Sequence, residues 1–183
     1  MDPQIAAALV PLLGWAVHGS VLAHRLASAR RDPLTGLHTR AGWTARAEHC
    51  IRRHSSAAVL LVDLDHFKTL NDTHGHAAGD AALIATADRL RAWCGRNGTA
   101  GRLGGDEFVA VVRDLAAADL DALTAALHQP LPYAGRSLPL AASVGTCRLD
   151  ELPVPTLTDA LAAADAAMYE AKGRSRRGSR PSR

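Results

Sequence analysis

The sequence predicts an α/β domain in which one sheet is covered by helices. Three observations carry that prediction. Residues 57–67, AAVLLVDLDHF, form a near-continuous apolar run of strand length that ends in carboxylates. Residues 101–112, GRLGGDEFVAVV, place a Gly-Gly pair before a second apolar run. Glycine accepts positive φ, so this reads as a tight hairpin with Asp106 and Glu107 at its tip. Helical segments alternate with these strands, giving the order helix, strand, helix, hairpin, helix, strand, helix.

The elements follow in chain order. Residues 32–42, DPLTGLHTRAG, are rich in turn formers and open the globular body. TARAEHCIRRH has helical composition. The first strand follows, and then KTLNDTHGHAAGD reads as a polar, glycine-containing connection. Residues 81–93 put Leu83, Ile84, Ala87 and Leu90 on one helical face. After the hairpin, residues 119–129 read as a helix and 137–149 as a strand with a proline near its start. Thr156 to Lys172 reads as a closing helix. Thr156 or Thr158 is its N-cap, and Leu161, Ala164 and Met168 have core spacing.

The chain has 183 residues, which suits one domain with short extensions. We divide it into an apolar helix at 1–31, a body at 32–177 and a basic tail at 178–183. The formal charge is +3, and six basic residues lie between Lys172 and Arg183, so the body without them is slightly acidic. No aromatic residues interleave with those arginines, and no nucleic-acid partner is expected. The cysteines, Cys50, Cys94 and Cys147, are odd in number and far apart. They suggest neither a disulfide framework nor a zinc ribbon, and they fit a reducing compartment. His66, His74 and His76 lack a third soft ligand at zinc spacing.

Residues 5–23, IAAALVPLLGWAVHGSVLA, are almost wholly apolar. At about 1.5 Å per residue a helix of this length spans roughly the hydrocarbon core of a bilayer. Arg25, Arg30 and Arg31 follow it and nothing basic precedes it, which places the body on the cytoplasmic side of the plasma membrane. The alternative is a soluble helix that pairs with a copy of itself. Pro11, Gly14, His18 and Gly19 favour that alternative.

Strand period puts Asp63 and Asp65 on one face. Two carboxylates this close repel each other unless a cation, hydrogen bonds or a raised pKa relieves them. If the strand ending at Asp65 neighbours the hairpin, three or four carboxylates converge at one sheet end. Such an oxygen-only cluster suits Mg²⁺ with substrate phosphates. Lys68, just past the strand, can supply positive charge to a phosphate.

At this point a resemblance is plain. The sequence resembles the GGDEF-family diguanylate cyclases, with Gly104, Gly105, Asp106, Glu107 and Phe108 spelling the motif. DPLTGLHTR is similar to the family's opening D-x-L-T-G-L-x-N-R. VDLDHFKTLNDTHGHAAGD is similar to its D-x-D-x-F-K-x-x-N-D-x-x-G-H-x-x-G-D segment. SVGT and ADAAMYEAK are similar to its late strand and closing helix. The likeness runs from about Asp32 to Arg177.

The resemblance implies an α+β fold, palm-like and ferredoxin-like, with a mainly antiparallel central sheet covered by helices. It implies condensation of two GTP molecules into cyclic di-GMP and two pyrophosphates at a site completed by a second copy, hence a homodimer. It implies Mg²⁺, or Mn²⁺ in its place, held by Asp63, the Leu64 carbonyl and Asp106. Glu107 is the other metal or base candidate. Asp106 is the implied base and Lys68 the phosphate-stabilising lysine. Asn71 and Asp80 match the guanine readers, while Lys172 and Arg176 match late phosphate contacts. SRR stands where the family usually has G-R-N. Gly95, Arg96, Asn97 and Gly98 stand where many members carry an inhibitory R-x-x-D, so no product inhibition is expected there. The competing reading is a catalytically silent module that binds GTP and regulates a partner.

Overall fold

The computed structural model describes residues 30–178, with side chains as far as Lys172. The apolar segment at 5–23 and residues 179–183 lie outside the described residues. A five-stranded sheet has the order β1-β3-β4-β2-β7. Its strands are β1 (His38–Thr39), β2 (Ala58–Leu64), β3 (Gly98–Gly104), β4 (Glu107–Val112) and β7 (Ala142–Arg148). β1 runs parallel to β3, and every other pairing in the sheet is antiparallel. The helices are α1 (Arg40–Ile51), α2 (Phe67–His74), α3 (His76–Cys94), α4 (Leu120–Leu127) and α5 (Leu157–Gly178). The fold class expected from the sequence is the one found.

β2 is apolar without alternation because both of its faces are covered. Ala58, Leu60, Val62 and Leu64 pack with Leu83, Ala87 and Leu90 of α3 and with Leu123 and Leu127 of α4. Val59 points the other way, into a cluster with Trp43 and Ala47 of α1 and Ala160 and Ala164 of α5. β4 splits likewise. Phe108, Ala110 and Val112 join the first cluster, and Val109 and Val111 the second. A strand buried on both sides has no polar face to show. Each fully buried Leu, Val or Phe stabilises the fold by about 1.5–3 kcal/mol.

Two close approaches set the layers. At Gly145 on β7, an added Cβ would run into the Ala164 carbonyl oxygen and the Met168 amide of α5. At Gly101 on β3, it would meet Trp43 Cβ at 2.7 Å. Trp43 is fully buried, and its Nε1–H donates to the Thr99 carbonyl at 3.0 Å.

Several expectations are corrected. KTLNDTHGHAAGD is not an irregular connection: it forms α2 and the first turn of α3, broken at Gly75 with φ +83°. Ile84 is 39% exposed and off the core face of α3. Residues 137–149 are not one strand. β5 (Leu131–Tyr133) and β6 (Arg136–Leu138) form a separate hairpin, and β7 begins only at Ala142. Pro139 has no N–H to give a ladder, which suits the break. One expectation is met and narrowed: of the two candidate caps of α5, Thr156 is the one used, since its Oγ1 accepts from the Asp159 amide at 3.1 Å.

Candidate active site

The β3–β4 hairpin turns on Gly105 and Asp106, between the paired residues Gly104 and Glu107. Gly104 and Gly105 have φ of +145° and +53°, a backbone that side chains disfavour. Register slips by one residue between Arg102 and Gly104, a bulge that bends the hairpin tip. β2 is the neighbour of β4, and Asp63 stands opposite Glu107. The Leu64 amide donates to the Asp106 carbonyl at 3.3 Å. The end of β2 and the GGDEF turn therefore meet, as the sequence argument required.

Lys172 reaches this place from α5. Its Nζ donates to Asp63 Oδ1 at 2.6 Å, and both side chains are largely buried. Asp65 lies one residue past β2, where Ser143 Oγ donates to its Oδ1 at 2.8 Å. The repulsion between Asp63 and Asp65 is thus relieved by an ammonium on one and a hydroxyl on the other. The expected carboxylates share one sheet end. Among the described residues, however, no three His, Cys, Asp or Glu side chains stand close enough to hold a metal ion. The donor set of Asp63, the Leu64 carbonyl, Asp106 and Glu107 is all oxygen, and Asp63 already holds a cationic group. That chemistry fits a hard divalent cation.

The remaining candidates are less tightly gathered. Lys68 is highly exposed on α2 and faces Asp72 at 3.8 Å, one helical turn on. Asn71 lies where α2 crosses α3, and its side chain fills the space a Cβ on Gly79 would need. Asp80 is the next residue of α3 after Gly79 and is exposed. The side chain of Arg176 lies outside the described residues.

Arg102 was missed by the motif reading of the site. Its Nε and Nη2 donate to the Gly105 carbonyl at 3.0 and 2.7 Å, and its Nη1 donates to Asp32 Oδ1 at 3.1 Å. Asp32 also accepts from the Thr35 amide at 2.9 Å and the Thr35 hydroxyl at 2.6 Å. Burial pushes the Asp32 carboxyl up, but the Thr35 hydrogen bonds and the Arg102 guanidinium outweigh it and hold the group below the usual range. The opening DPLT turn is thereby fixed to the GGDEF turn through one guanidinium. A charged residue two positions before Gly104 was the available signal.

The fold is a mixed α/β domain with a five-stranded sheet and a carboxylate-bearing turn at one sheet end, and comparison with known proteins gives the family. Residues 29–178 match the family described as diguanylate cyclase, GGDEF domain. The chain belongs to that family. It is 84% identical, over the full length of both chains, to an uncharacterized 19.3 kDa protein of Streptomyces ambofaciens. It is 37% identical to the diguanylate cyclase TpbB of Pseudomonas aeruginosa, covering 87% of this chain and 38% of TpbB. Its structure resembles that of a sensory box/GGDEF family protein from Caulobacter crescentus. There the TM-score is 0.73 at 38% identity, covering 80% of this chain and 99% of that one. Apart from the Streptomyces protein, the chain spans about a fifth to two fifths of the length of the curated relatives it matches. Among the described residues no helix is long and apolar enough to cross a membrane.

Proposed function

We propose that the chain is a diguanylate cyclase that condenses two GTP molecules into cyclic di-GMP and two pyrophosphates. The observation that carries this reading is the contact between the GGDEF turn and the end of β2, with Lys172 on Asp63. Family membership and the named cyclase relatives support it.

In each half-reaction the ribose 3′-oxygen of one GTP attacks the α-phosphorus of the other. A P–O bond forms, the bond to pyrophosphate breaks, and the hydroxyl proton passes to a base. Asp106 is the assigned base, with Glu107 beside it. Asp63, the Leu64 carbonyl, Asp106 and Glu107 would hold Mg²⁺, or Mn²⁺ in its place. Bound there, such an ion lowers the pKa of the attacking hydroxyl and neutralises charge on the leaving group. Lys68 and Lys172 offer ammonium charge to the phosphates, and Arg176 extends that set along α5. Asp80 accepts from guanine N1–H and N2–H, and the Asn71 amide meets a ring acceptor. Adenine would leave those groups unpaired, which gives selectivity.

One domain positions one GTP, so the second comes from a facing copy in a homodimer. Gly95 and Gly98 offer no charged side chains to returning product, so feedback through that site is absent. Residues 5–23 serve as the membrane anchor of a cytoplasmic domain; the soluble dimerisation helix is the other reading. Carbonate washing of fractionated membranes separates the two, because a spanning helix stays in the pellet and a peripheral one is released.

The test of the activity is turnover of GTP with Mg²⁺ by the full chain, with the product identified by mass. Wild type yields cyclic di-GMP at a specific activity that rises with protein concentration. Asp106→Ala loses at least about a hundredfold, as removal of a positioned acid–base group does. GTP binding by a dimer with no product would replace this reading with the silent regulatory module.

A further inference from the structure

Thr35 is buried, and its carbonyl needs a donor. Among the described residues a single donor reaches it. This is Arg91 of α3, 56 positions away in the chain, whose Nη2 donates at 2.7 Å. Arg91 Nη1 donates to Asp88, one turn back on the open face of the helix. Surface pairs of that kind contribute little to stability. The bond to Thr35 is the one that matters, because a buried oxygen without a partner is costly. The guanidinium lies beside Gly36, 3.5 Å from where a Cβ would stand, and the φ of +67° there favours glycine.

That bond is the first of a connected series. The Thr35 amide and hydroxyl both donate to Asp32 Oδ1, at 2.9 and 2.6 Å. The same oxygen accepts from Arg102 Nη1, and Arg102 Nε and Nη2 donate to the Gly105 carbonyl. An unbroken path of hydrogen bonds thus runs from α3 to the GGDEF turn, with a guanidinium at each end. A planar fork fixes direction as well as distance, which a flexible ammonium does not. α3 also carries Asp80, about three turns before Arg91. Arg91 itself lies in none of the motifs by which the sequence resembles its family.

We propose that Arg91 is a positioning residue for the GGDEF turn. It acts through Thr35, Asp32 and Arg102, and it holds Gly105 and Asp106 in a fixed place relative to α3. The consequence for catalysis rests on the cyclase reading above; the consequence for the turn does not.

The test compares three variants of the full chain. Arg91→Met keeps the apolar stem and removes the donors, and Arg91→Lys keeps the charge. Arg89→Met is the control. Arg89 also reaches from α3 to backbone carbonyls, those of Leu127 and Pro130, but on the α4 side and off this path. The first readout is amide hydrogen exchange without nucleotide. The Leu64 amide donates to the Asp106 carbonyl, so its exchange reports the placement of the turn. The Leu60 amide, in the middle of β2 with a paired strand on each side, reports global opening. Arg91→Met is expected to speed Leu64 exchange about tenfold relative to Leu60, while Arg89→Met leaves that ratio unchanged. The second readout is turnover of GTP with Mg²⁺. There kcat falls in Arg91→Met with KM little changed, and Arg91→Lys recovers part of the loss. Arg91→Gln takes the place of Arg91→Met if that variant does not fold. An unchanged ratio in Arg91→Met, an equal change in Arg89→Met, or a full kcat beside a changed ratio overturns the proposal. A changed ratio confined to Arg91→Met, in a chain whose wild type makes no cyclic di-GMP, upholds the hold on the turn and overturns the cyclase reading instead.

Discussion

Arg102 holds the GGDEF turn from behind, and no shorter or differently shaped side chain can copy it. Its guanidinium reaches Gly105 with two donors and Asp32 with a third. Removing it leaves the Asp32 carboxylate, only 18% exposed, without its cation. Arg102→Ala is expected to cost about 2 kcal/mol, read as a lower urea midpoint. Arg102→Lys is expected to recover part of that stability and little of the turnover, because an ammonium lacks the planar fork. Equal turnover in the lysine variant and wild type would remove Arg102 from the positioning of the turn. His38 makes a separate prediction. Burial, with Arg31 and Arg46 nearby, lowers its pKa from 6.5 to about 4. Between those values the unfolded chain binds a proton that the folded chain refuses. Stability therefore falls as pH drops through that window, by up to about 1.4 kcal/mol per pH unit. The Asp32 carboxyl, held below its ordinary value of 3.8, loses its stabilising contribution only at lower pH, outside this window. Urea midpoints at pH 7, 6 and 5 should show a steeper decline for wild type than for His38→Phe.

At the scale of elements, Gly145 is where α5 lies on β7 with helix backbone against strand backbone. Gly145→Ala is expected to cost about 1–3 kcal/mol, since neither the Ala164 carbonyl nor the Met168 amide can step aside as a side-chain end could. Denaturant unfolding measures this, and an unchanged midpoint would mean that α5 shifts freely. The same contact explains what the sequence could and could not tell. The β2 run and the Gly-Gly hairpin were legible because burial on both faces and positive φ leave direct marks on residue choice. Gly145 was visible as part of SVGT, but its reason was not, because the colliding atoms belong to a helix nearly twenty residues later. α2 was misread as a connection because Lys68, Asn71, Asp72 and Thr73 give it a polar surface, and none of its residues is fully buried. The short β5–β6 hairpin escaped because prolines flank it and strands of three residues carry almost no periodicity. Asp63 and Asp106 were singled out by residue type and motif, and their meeting at one sheet end follows from the β2–β4 register. The Lys172–Asp63 ion pair was not legible, since 109 positions separate the partners.

For the whole molecule, all three cysteines are free. Burial pushes the Cys94 thiol up to about 12 and raises Cys147 as well, so neither is a ready nucleophile. The two cores on either side of one sheet, and not any covalent staple, hold the molecule together. The sheet order adds a consequence for how the domain is made. β2 is second from one edge, between β4 and β7, and Leu64 pairs with Ala142 while Ala58 pairs with Arg148. As the chain leaves the ribosome, β2 emerges early and then waits for both of its neighbours. Until β7 arrives its far edge is open and its apolar faces lack α5, the state in which strands pair with the wrong partner. Most of the domain must therefore be synthesised before β2 is safe, and chaperone demand during translation should peak while the segment between β4 and β7 is being made.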